Sequence, residues 1–105
     1  MDIDRLKEEI SNGRKRLRIT THAQIEAAKD GLLLADLRHV FEHGRIIEAY
    51  PDVSRVLLYA ITPTHNLPAH VVIEDTNDAG VVVTAYVPDR DVWIDNVRRK
   101  QRRNK

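Results

Sequence analysis

The sequence predicts a single α+β domain, with helices covering one face of a four- to five-stranded, mostly antiparallel sheet. Three observations lead there. Apolar residues recur at helical spacing through most of the first 43 positions, and the period then switches to two. The segments that follow are rich in Val, Ile and Tyr and are separated by short links of turn-forming residues, which pair successive strands antiparallel. Helices first and strands afterwards give a layered α+β arrangement, not alternating βαβ units.

In chain order, Ile3, Leu6 and Ile10 define a short helix over about 3 to 11, ended at Gly13 of "SNG". "RLRIT" alternates and reads as a half-buried strand. "TTHAQIEAAKDG" has Thr21 and Gln24 at the spacing of a capping box and Gly31 as a stop, predicting a helix over 22 to 30. "LLLADLRHVFEHG" puts Leu33, Leu37, Val40 and Phe41 on one face of a second helix, about 34 to 43. Four strands follow in "RIIEAY", "RVLLYAI", "AHVVIE" and "GVVVTAYV". Pro88 ends the last of them, Asp89 supplies a cap, and Trp93 and Val97, four apart in "DVWIDNVRRK", predict a C-terminal helix.

The chain of 105 residues has the length of one domain, with a core over about 14 to 97 and a basic tail over 98 to 105. Absence of cysteine removes disulfides and zinc-thiolate sites and fits a reducing, cytoplasmic compartment. The N-terminus is acidic and amphipathic, unlike a signal peptide, and no apolar run reaches the ~20 residues of a membrane span. The net charge of +1 conceals an asymmetry. Six of the 17 Lys and Arg lie in "RRKQRRNK", leaving 11 basic against 16 acidic side chains over residues 1 to 97, a net of −5. A polyanion would therefore be met locally, at the tail or in one groove, unless the tail is only a solvated terminus.

Alternation along the strands sets Val71 and Ile73 with Val81, Val83 and Ala85 against the helices, and turns His70, Thr84 and Tyr86 to the other face, with His70 opposite Thr84. Glu48, Tyr50, Arg55 and Tyr59 fall on that same side. A wet face of an antiparallel sheet explains such residues without any activity. The same residue types also suit metal-free RNA cleavage, in which a base takes the 2′-OH proton, an acid protonates the 5′ leaving oxygen, and a cation steadies the phosphorane-like transition state. No cofactor is needed for this. His22 stands in the first turn of its helix, where the dipole disfavours imidazolium and makes a general base of the ring; it would serve equally as a tie between helix and sheet. His39 and His43 are spaced as a metal pair, but nothing in the sequence fixes a third ligand and no metal is expected.

The stretches "THAQIEAAKDGL", "GRIIEAYP", "AHVVIE" and "VVTAYVPDRDVW", followed by Arg98 and Arg99, resemble a family of small bacterial domains of unknown function over about residues 18 to 99. The family is grouped with the barnase, EndoU, colicin and RelE-like ribonuclease fold. The resemblance implies an RNA-cleaving domain of toxin type with an antitoxin protein as its partner. Its characteristic positions match His22, His70, Thr84, Tyr86 and Trp93. Many members carry Arg and Met four and five positions after the first His, where this chain has Glu26 and Ala27 and so lacks a cation. The expected catalytic set is His22 and His70 as base and acid in either order, with Tyr86 and Thr84. The expected RNA contacts are Arg55, Tyr50, Tyr59, Arg98 and Arg99. Two alternatives stand beside a ribonuclease: a protein-binding module of the same fold, and an RNA-binding module without cleavage.

Overall fold

The computed structural model describes residues 1–100 of the chain. Helix α1 (Ile3–Ser11) starts where the Asp2 carboxylate accepts from the Arg5 amide at 3.1 Å. It buries Leu6 completely, and the chain leaves it through Gly13 at φ +82°. Strand β1 (Arg16–Ile19) leads into α2 (Thr21–Lys29). The cap of α2 is Thr20, whose Oγ1 accepts from the Ala23 amide at 3.0 Å, so the cap lies one residue before the expected Thr21. Gln24 does not close a capping box; its side-chain amide donates to the Ile19 carbonyl at 3.1 Å. Helix α3 (Leu34–His43) is held at its start by Asp36, whose carboxylate accepts from the Leu33 amide at 2.8 Å.

Strands β2 (Arg45–Tyr50), β3 (Arg55–Ile61), β4 (Pro68–Asp75) and β5 (Ala79–Tyr86) form an antiparallel meander, with a 3-10 turn at Pro51–Val53 between the first two. Strand β1 joins the outer side of β5 in parallel, so the sheet is mixed and runs β1-β5-β4-β3-β2. All three helices lie on one face. Leu6, Ala23, Ala27, Leu37, Val40 and Phe41 pack there against Val56, Leu58, Ala69, Val71, Ile73, Val82 and Ala85.

The parity of β5 differs from the expected one. Val71 opposes Ala85 and Val72 opposes Thr84, but Ile73 opposes Val82 and Glu74 opposes Val81, leaving Val83 as the extra residue of a β-bulge. Val82 therefore faces the helices, Val81 is turned to the side of Glu74, and His70 lies across from Tyr86, not Thr84. A single inserted residue inverts the face of every residue on its far side, and strict alternation has no way to register it.

The expected C-terminal helix is not formed. Asp89 does cap, but it caps a turn. Its carboxylate accepts from the Asp91 amide at 2.8 Å and its carbonyl from Val92 and Trp93 at 3.0 and 2.9 Å. The chain then makes a small hairpin of β6 (Trp93–Ile94) and β7 (Arg98–Arg99). Asp95 and Asn96 at its tip have φ of +51° and +65°, and the Val97 amide donates to the Ile94 carbonyl at 3.2 Å, as in a type I′ turn. Arg98 and Arg99 are thus strand residues, not the first residues of a tail; residues 101–105 of the expected tail lie outside the described residues.

Leu58 is fully buried between sheet and helices. Its replacement by Ala is expected to cost about 2–5 kcal/mol, read as a lower urea midpoint with an unchanged slope. A loss below about 1 kcal/mol would mean that the helices do not pack on this face.

Candidate functional site

On the face away from the helices, register aligns side chains in rows across the strands. Arg45, Tyr59, His70 and Tyr86 make one row, and Glu48, Leu57, Val72 and Thr84 make the next. Tyr50, Arg55, Glu74 and Val81 make a third. A second bulge, at Ile47 between Ile46 and Glu48, is what brings Glu48 and Tyr50 onto this side together with Arg45. The β6–β7 hairpin lies over the first two rows: Trp93 meets His70 edge to face with ring centroids 4.4 Å apart, and Arg99 reaches Glu48.

His70 is 0% exposed beneath this hairpin. Its Nε2 is bonded to the Asn96 backbone carbonyl, which can only accept, so Nε2 carries the proton. Nδ1 is then the acceptor for the Tyr86 hydroxyl at 3.3 Å. Tyr59 and Tyr86 flank the ring with centroids 5.9 and 5.3 Å away. Burial pushes the imidazole pKa below its ordinary value, against the opposing pull of the Asn96 carbonyl and the Glu48 charge. The ring is therefore neutral near pH 7, with both nitrogens engaged.

Beside it lies a charged cluster open to solvent on one side. Arg99 grips Glu48 through Nε to Oε2 at 2.9 Å and Nη2 to Oε1 at 3.1 Å, and its guanidinium lies over the Trp93 ring, 4.5 Å from the centroid. The Tyr50 hydroxyl donates to the same carboxylate. Burial by itself would raise the Glu48 carboxyl, but the bonds from Arg99 and Tyr50 outweigh it and hold the group below the usual carboxylate range. Burial, then donation to Glu48, raises the Tyr50 phenol, and burial also raises that of Tyr86. The result is a carboxylate that stays ionised, a guanidinium with bidentate geometry and two phenols that keep their protons.

Thr84 stands on this face, half-buried, opposite Val72. Tyr59 lies under Arg45, 5.8 Å from its ring centroid to the guanidinium carbon. Arg55 is engaged by Glu74 at 2.8 Å, and Arg98 is exposed on β7. His22 does not join the group. It is exposed on α2, whose buried Ala23 and Ala27 pack on the opposite face of the sheet, so the sheet lies between it and His70. The His39 and His43 rings lie tilted to each other on α3 with centroids 4.8 Å apart, and His65 is exposed in the β3–β4 link. Sequence reasoning put Glu48 on this face but gave it no role, and it missed Asn96 because a hairpin tip was read as helix. The signal for that tip is "IDNV", since Asp and Asn are the residues besides Gly that tolerate two successive positive φ values.

The family described as Domain of unknown function (DUF4258) matches residues 19–87. The chain belongs to this family. The DUF4258 match starts at the last residue of β1, runs through β5 and ends before the hairpin, so Trp93, Asn96 and Arg99 stand outside it. No curated protein sequence matches the chain. Among solved structures, the ribonuclease toxin BrnT of Brucella abortus is similar in fold, with a TM-score of 0.53 at 16% sequence identity, covering 72% of this chain and 99% of BrnT.

Because the folded state depresses the His70 pKa, the unfolded chain takes up a proton near the ordinary value of 6.5 that the folded chain resists. The resulting stability is present above pH 6.5 and is lost as the pH falls from there toward the folded value. Urea midpoints are expected to drop between pH 7.5 and 5.5 in the wild type and to drop less in His70→Gln. His70→Ala is expected to cost roughly 3 kcal/mol at pH 7.5, from a cavity and two partners left unpaired. Equal pH slopes in wild type and His70→Gln would show that the ring does not titrate as its burial requires.

Proposed function

We propose that the chain is a metal-independent endoribonuclease of toxin type with a RelE-like fold, acting on cytoplasmic RNA at the face between the meander and the β6–β7 hairpin. The observation that carries this reading is the Glu48, Tyr50 and Arg99 cluster beside the His70–Tyr86 pair, on a fold similar to that of a ribonuclease toxin. In this reaction Glu48 accepts the 2′-OH proton as the 2′ oxygen attacks phosphorus, and Arg99 turns its two parallel N–H bonds from the carboxylate to the phosphate oxygens. The Tyr86 hydroxyl, which donates to His70 Nδ1 in the free site, swings to the departing 5′ oxygen and protonates it, giving up its bond to Nδ1 as it does so. Tyr59, Thr84 and Arg98 border the site as contacts for the RNA, while His22, on the far side of the sheet, takes no part. An antitoxin protein would be the partner of such an enzyme.

A second reading has its own support. His70 is sealed from solvent with both nitrogens bonded, and Arg99 is already neutralised by Glu48, which suits a module that binds without cleaving. Total RNA incubated with purified protein and excess chelator separates the two. The enzyme reading expects cleavage that Glu48→Gln lowers by about 10²-fold or more while the thermal melt is little changed. RNA retained intact by wild-type protein would leave the binding module.

A further inference from the structure

At the opposite edge of the sheet, β1 is paired on one side only among the described residues. In its parallel ladder with β5 the Arg16 amide donates to Asp78 and the Thr20 amide to Val82, so the even-numbered residues face β5 and Leu17 and Ile19 turn their backbone groups outward. The Ile19 carbonyl is taken by the Gln24 side chain. Among the described residues, the Leu17 N–H, the Leu17 C=O and the Ile19 N–H have no partner and remain along the free edge. A shallow cleft of about 320 Å³ opens beside them, lined by Arg16, Leu17, Arg18, Thr76, Asp78 and Ala79. Arg14, Arg16 and Arg18 are all exposed, and among the described residues no carboxylate lies within ion-pair distance of any of them. They form a positive strip on a body whose residues 1 to 97 carry a net of −5.

We propose that this edge is a docking strand for an extended, acidic segment of a partner protein, which adds to the sheet beside β1 and sets carboxylates against Arg16 and Arg18. Three features select this occupant. An edge that offers both N–H and C=O groups is matched by another polypeptide backbone, whereas a phosphate chain would meet the Leu17 carbonyl as one acceptor against another. A second copy of this chain is disfavoured, because pairing two β1 edges would bring arginines against arginines. Alternating side chains on an added strand would repeat the two-residue spacing of Arg16 and Arg18. This surface lies at the edge away from β2, and its use does not depend on catalysis.

The test uses the full chain and an acetylated, amidated eight-residue peptide alternating glutamate and valine. Three further probes are the lysine-valine counterpart, the acidic peptide N-methylated at alternate amides, and a ten-nucleotide oligoadenylate. Binding up to millimolar concentration is followed by backbone amide NMR. The acidic peptide is expected to shift the Leu17 and Ile19 amides and slow their hydrogen exchange, and Arg16→Glu with Arg18→Glu should weaken it about tenfold or more. N-methylation and the lysine peptide should abolish the effect. No shift at Leu17 and Ile19 with the acidic peptide, or equal shifts with the lysine peptide, would overturn the proposal. Shifts at these amides with oligoadenylate but not with the peptide would make the strip an RNA contact instead.

Discussion

A buried imidazole must have both nitrogens satisfied, and much of the second face of this sheet follows from that requirement. His70 sits on β4, the middle strand of five, where no position escapes neighbours on both sides. One nitrogen is met from within the sheet by Tyr86. The other points away from it, and only a segment crossing above the sheet can meet it. The β6–β7 hairpin is that segment, and the carbonyl it offers belongs to Asn96, a residue in the left-handed region at the tip of the turn. An unpaired buried ring nitrogen costs about 1–3 kcal/mol, which is comparable to the whole margin that a two-strand hairpin commands by itself. Hairpin and histidine stabilise each other.

The electrostatics of the site follow from the same docking. With the hairpin in place Trp93 closes over His70, its neighbour across the ladder is Arg99, and Arg99 falls within reach of Glu48. The guanidinium is sandwiched between an aromatic face and a carboxylate, a combination that orients its N–H groups firmly. Glu48 is there because β2 bulges at Ile47, and Val82 is in the core because β5 bulges at Val83. Each bulge lies beside a row of polar residues. The sheet is irregular on both sides of the strand that carries His70.

Much of the architecture is legible in the sequence. The three helices, the four strands of the meander and the separation of Tyr, His, Thr and Arg from the aliphatic face follow from periodicity, because each is set by local spacing and by one buried side. Three things are not. The parity of Val81, Val82 and Val83 is hidden, since three consecutive valines give no alternation by which a bulge is recognised. The hairpin is hidden because Asp89, Trp93, Val97 and the basic residues beyond imitate the signals of a helix, although Trp93 and Arg99 meet His70 and Glu48, 23 and 51 positions earlier in the chain. The relation of His22 to His70 is hidden because it depends on which face α2 covers; two histidines that suit acid and base chemistry by type are separated by the sheet itself.

The parallel union of β1 with β5 also orders events in time. Every pair in the meander joins segments that are close in sequence, and such contacts close quickly. Arg16 and Ala79 stand 63 positions apart, and between them lies everything except α1 and the hairpin. On the ribosome β1 therefore emerges long before its template exists, and the strand of this sheet that is made first is among the last to be laid down. Until β5 has been synthesised, the Arg-flanked strand β1 lacks the partner it has in the fold, and α1, which rests on Gly80, has no floor. Arg16 and Arg18 on that waiting strand set like charges against any second copy of it and so discourage pairing between neighbouring nascent chains.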